Sequence, residues 1–123
     1  MNVPTHILNW YAGWWLVLAA FVSGALMGLS FHREKFLGGY ASFQRRMLRL
    51  GHVALAALGM LNVVFSLSPW GGEAAGICLV VGGGTMPAIC LLTAWRKPFR
   101  HLFFVPVVAL LAAVVRILMG GAR

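Results

Sequence analysis

The chain has 123 residues, room for one domain, and its composition is 61% hydrophobic and only 10% charged, which lies far outside the range of soluble globular proteins and demands lipid as a solvent. Two acidic residues, Glu34 and Glu73, stand against ten Lys and Arg for a net charge of +8. Most of those bases sit in two short segments between apolar stretches and not on a broad polar face, which argues against nucleic-acid binding and for contact with anionic lipid headgroups.

The first apolar stretch, 10–30, is long enough to cross a bilayer core. Ser23-Gly24-Ala25 imitates a signal-cleavage site, but no Lys or Arg precedes the stretch and a secretory signal needs a basic leader. It is therefore expected to persist as a membrane helix. Gly13, Ala20, Gly24 and Gly28 form a small-residue stripe along it, of the kind that lets helix backbones touch.

A basic connection containing Gly38-Gly39 follows. Ser42 is placed to cap a helix beginning at Phe43, so the second helix starts before its apolar span, 48–67, and carries Arg45, Arg46 and Arg49 in its first turns. Arg45, Arg49, His52, Ala56, Gly59, Asn62 and Ser66 fall on one face at about 100° per residue. An amide such as Asn62 is costly in lipid unless hydrogen-bonded, so this face should meet protein, as a packing seam or as the lining of a ligand site.

The third span, 74–95, contains both cysteines. Cys78 and Cys90 are separated by about 18 Å along a helix, too far for a disulfide, and behave as small hydrophobes. Gly82-Gly83-Gly84-Thr85-Met86-Pro87 sits at mid-membrane, where the glycines favour flexibility and Pro87 removes a backbone donor, so the helix is expected to be kinked or broken there. Gly83, Thr85 and Pro87 then become candidates for a substrate site built from freed backbone groups, as in transporters. The plainer alternative is a proline kink whose carbonyls are met by Thr85 or a neighbouring helix.

The fourth span, 102–119, carries Arg116 close to its end, able to snorkel to the surface or to pair with Glu73 as a latch. Four spans put both termini on one side, in an up-down all-α bundle of a single domain. Arg33, Lys35, Arg45, Arg46, Arg49, Arg96, Lys97 and Arg100 share the opposite side, leaving Arg116 and Arg123 with the termini. The positive-inside rule makes the basic side cytoplasmic and the N- and C-termini non-cytoplasmic. Trp10, Tyr11, Trp14, Trp15 and Trp70 then mark the outer interface, and Phe31, Phe36, Trp95 and Phe99 the inner one. A bacterial inner membrane is the expected location.

For function, three classes of reading arise. His32, His52 and His101 lie toward the basic ends of three different spans and could supply axial ligands to a haem b, or a quinone site, with Arg49 and its neighbours Arg45 and Arg100 neutralising acidic groups. His32 and His101 sit in basic interfacial runs, where histidine is often just a boundary residue. A small transporter or channel should carry an ionisable group at mid-membrane, and none of the spans has one there. An enzyme is disfavoured, because the sequence shows no paired carboxylates and no nucleophile beside a base. The first expectation is therefore a small accessory or binding subunit that packs in the membrane against larger chains or itself; the redox-cofactor subunit and the small transporter are the alternatives.

Overall fold

The protein is described by a computed structural model covering residues 4–120. It is an all-α integral membrane protein with four helices apolar and long enough to span a bilayer. Helix α1 is Thr5–Ser30, α2 is Phe43–Leu67, α3 is Gly72–Trp95 and α4 is Phe104–Met119. The first three have 26, 25 and 24 residues. At about 1.5 Å per residue they exceed the roughly 30 Å of a hydrocarbon core. The 16 residues of α4 fall short, and the tighter 3-10 turn Lys97–Phe103 in front of it extends the span.

Local chemistry sets the boundaries. Ser42 caps α2, its hydroxyl accepting from the Arg45 backbone N–H at 3.2 Å, which satisfies one of the first-turn donors a helix cannot pair internally. Gly71 starts α3 with φ +98°, and a Cβ there would meet Phe65 and Ile117 below 3 Å, so both conformation and space call for glycine. Glu73 in the first turn of α3 complements the positive end of the helix dipole. Pro106 falls in the first turn of α4, where its missing N–H would have no partner in any case.

The bundle is organised around α3. Helices α1, α2 and α3 pack on one another, whereas α4 lies chiefly on α3 and makes no substantial contact with α1. The up-down arrangement is therefore open on one side. Phe65, Ala75, Leu79 and Ala113 form the densest apolar cluster, joined by Cys78, Leu110 and Ile117, where α2, α3 and α4 meet.

Small residues decide how closely the helices approach. A Cβ on Gly13 would lie 2.7 Å from the Gly59 carbonyl oxygen, and a Cβ on Gly59 would lie 2.9 Å from that of Gly13, so α1 and α2 cross with their backbones in contact. The small stripe of α1 is thus used within the chain at Gly13, Ala20 and Gly24, while Gly28 faces open space.

The segment from Gly82 to Pro87, expected to be kinked or broken, stays within one helix. Helix α3 is not broken there: it runs from Gly72 to Trp95 with Pro87 inside it. Gly82 admits Leu110 of α4, whose side chain would be 2.5 Å from an added Cβ, and Gly83 admits Asn62 and Leu16 on the other flank. Gly82 and Gly83, two of the glycines that suggested unwinding, are packing positions on two sides of the central helix, while Gly84 meets nothing within 4 Å. Thr85 donates its hydroxyl to the Val81 carbonyl at 2.6 Å, a back-bond within the helix.

Candidate functional site

Three polar assemblies punctuate this apolar frame. The first joins α1, α2 and α3. Asn9 donates to the Asn62 side-chain oxygen at 2.7 Å and to the Gly76 carbonyl at 3.0 Å. Asn62 donates in turn to the carbonyls of Leu58 at 2.8 Å and Leu79 at 3.2 Å. Both amides are completely buried, and every group named is paired except the Asn9 oxygen. Asn62 is therefore committed to three helices, as a seam residue must be. Its partner Asn9 lies just before the apolar stretch 10–30 in sequence. It lies four positions before Gly13, on the same face of α1, and that spacing was the signal available for it.

The second assembly closes the basic end. Arg45 is only 2% exposed, yet no carboxylate meets it among the described residues. Its guanidinium donates to the carbonyls of Phe36 at 2.6 Å, Phe31 at 3.1 Å and Arg33, and lies 4.7 Å above the Phe31 ring. The last carbonyls of a helix lack internal partners and carry negative partial charge, so a cation from α2 caps the exit of α1. This ties down the reversal through Leu37, Gly38 and Gly39, all at positive φ. Arg49 makes a lesser version of the same contact, donating to the Tyr40 carbonyl at 2.9 Å and stacking 4.4 Å from the Tyr40 ring.

The third is a half-open cleft of about 250 Å³ between the basic-end halves of α1 and α3, with α2 as its floor. Leu26 and Met27 of α1, Leu48, Gly51 and Leu55 of α2, and Pro87, Leu91 and Trp95 of α3 line it, and Phe31, Phe36 and Leu37 roof it. The Arg45 contacts thus hold the roof. Polar side-chain groups in the lining come from Ser23, Ser30 and His52, with the indole N–H of Trp95. His52 Nδ1 lies 2.9 Å from Ser23 Oγ, and the ring sits over Gly24, where an added Cβ would be 2.8 Å from Cε1. Gly24 makes room for the imidazole.

The remaining candidates lie elsewhere. His32 and His101 are exposed, and among the described residues no three His, Cys, Asp or Glu side chains gather to hold a metal ion. Of the three histidines only His52 enters the cleft. Pro87 lines it too, whereas Gly83 faces the Asn62 node. Arg116 is exposed near the end of α4 beside Gly71 and Gly120, with no bond from its side chain to Glu73. Arg123 lies outside the described residues. The cleft could not be found from helical periodicity on one segment, because it is assembled from three helices and a loop.

No protein-family model, no curated protein and no solved structure matches this chain.

Proposed function

We propose that this protein is a small binding subunit of a bacterial inner membrane, which holds a lipid-soluble ligand in the cleft beside His52 and works against a larger membrane partner. The observation that carries the reading is the cleft itself: an apolar, half-open space among three spanning helices with few polar side chains set into it, the bonded pair Ser23 and His52 among them. Ligand sites have this character, a mostly apolar wall with few placed polar groups. Its floor is about 14 Å along α2 from the helix start, counting from Phe43 to His52, so a ligand reaches it from lipid.

The bias of bases toward the end that carries the roof supports placing that end in the cytoplasm, with both termini outside. The exposed Arg33, Lys35, Arg46, Arg96, Lys97 and Arg100 suit anionic headgroups there. The outward faces of α1 and α4, apolar apart from His6 and Arg116 near their outer ends, suit lipid or the flank of a partner chain.

The ligand is better read as a quinone-type molecule than as a haem. A void of about 150 Å³ holds one benzene ring, so about 250 Å³ takes one substituted ring and the start of a tail, and not a four-pyrrole macrocycle. Purification in mild detergent, followed by mass spectrometry of the extracted small molecules, tests the reading. A lipid-soluble compound near one per chain, lost in Leu55→Trp, is the expected result. Identical extracts from both proteins would overturn it, and sharp haem bands on dithionite reduction would replace the quinone reading with the haem one.

A further inference from the structure

The connection between α1 and α2 turns through three consecutive residues at positive φ: Leu37 at +52°, Gly38 at +86° and Gly39 at +97°. Glycine takes such angles without steric cost, whereas in leucine the Cβ is crowded against a carbonyl oxygen. With ψ at +34°, Leu37 stands in the left-handed helical region itself. Its neighbours hold it there. The Phe36 carbonyl, just before it, accepts from Arg45 Nε at 2.6 Å and from the Gly39 N–H at 3.2 Å, and the Gly38 N–H, just after it, donates to the Lys35 carbonyl at 3.1 Å. The turn is therefore imposed on Leu37 from both sides.

A third glycine, or an asparagine, would make the same turn at lower cost. What leucine adds is an apolar side chain, and this residue is half-buried and lines the cleft. Backbone strain that the surroundings over-determine gathers at ligand clamps. We infer that Leu37 is the specificity-determining residue of the cleft, closing it above the ligand's ring, and that the ligand class it selects is the monocyclic quinone, to the exclusion of fused-ring naphthoquinones. This rests on the reading of the cleft as a quinone-type site. A void of about 150 Å³ holds one benzene ring, so about 250 Å³ leaves room for ring substituents and for the start of a tail leaving by the open side. A second, fused ring is driven against the walls, and the roof at Leu37 is the wall that a strained residue keeps in place.

The test titrates the full chain, in phosphatidylcholine nanodiscs, with a decyl-substituted benzoquinone and a decyl-substituted naphthoquinone. The benzoquinone is expected to bind roughly tenfold more tightly, the scale on which an apolar pocket discriminates by a few carbons. Leu37→Ala cuts the side chain back to its Cβ and should bring the two probes within about twofold of each other. Leu37→Asn separates a ligand contact from a folding role, because asparagine tolerates the left-handed conformation. In ligand-free detergent this variant should melt no lower than the unmodified protein, while benzoquinone binding falls roughly tenfold. A lower melting temperature with unchanged binding would mean that the leucine serves the fold alone, and would overturn the inference. Equal affinities of the two probes for the unmodified protein, or an unchanged ratio in Leu37→Ala, would also overturn it while leaving cleft binding intact. No binding of either probe would overturn the cleft reading as well.

Discussion

Asn9 and Asn62 face each other across α1 and α2 at 2.7 Å, both without any exposed surface, and each reaches onward to a carbonyl of α3. This one pair couples three helices in a medium that offers no competing water. Removing one amide leaves the other with an unpaired buried donor or acceptor, which costs about 1–3 kcal/mol. Asn62→Ala and Asn9→Ala should each lower the unfolding free energy in detergent by about that amount, and the double variant by less than the sum, because the shared bond can be lost only once. Additive losses in a denaturation series would show that the pair is not coupled.

The glycines divide into those that are filled against and those that are not. Gly13→Leu or Gly59→Leu places a side chain where a backbone oxygen of the opposite helix sits, and should prevent α1 and α2 from closing or destabilise the fold by more than the ~1–3 kcal/mol typical of overpacking. Gly28→Ala and Gly84→Ala meet nothing within 4 Å and should leave the melting temperature unchanged or raised, since alanine is the better helix former. Thermal melts of the four variants check the division.

Arg45 holds the roof of the cleft through three carbonyls and the Phe31 ring. Arg45→Met keeps the stem and removes the donors, so the connection between α1 and α2 should become a proteolytic site while the helices persist. Limited trypsinolysis at Arg33 and Lys35, at least several-fold faster than in the unmodified protein, is the expected readout; unchanged cleavage would mean that the roof is held by its own turns.

Orientation has its own check. An alkaline phosphatase fused to the C-terminus should be active in intact bacterial cells, and the same enzyme fused within the connection between α3 and the following 3-10 turn should not, as the asymmetry of the basic residues requires. The reverse pattern would invert the sidedness proposed above and place the cleft at the outer leaflet.

Most of the frame was legible in the sequence because length and hydropathy alone specify membrane helices, and because Ser42 and the stripe through Gly59 and Asn62 carry local signals. What escaped was set by three-dimensional meeting. Gly82 to Gly84 look like an unwinding signal on paper, yet two of them are filled by Leu110, Asn62 and Leu16 from other helices. Arg45 stood on the face of α2 expected to meet protein, but the carbonyls of Phe31, Arg33 and Phe36 that draw it inward belong to a connection whose turns helical periodicity does not specify. Among the histidines the sequence set His52, within the apolar span 48–67, ahead of His101 and His32 in their basic interfacial runs. Only the alignment of α1 with α2 brought His52 to Ser23 and left His32 and His101 at the surface.

The most direct test of ligand binding in the cleft is photolabelling with a tail-linked benzoquinol carrying a diazirine beside the ring, followed by peptide mapping. The account predicts label on Met27, Leu55 and Leu91, competed away by unlabelled benzoquinol and lost in Leu55→Trp. Label confined to the exposed face of α4, around Val108 and Leu111, and indifferent to competitor, would contradict it.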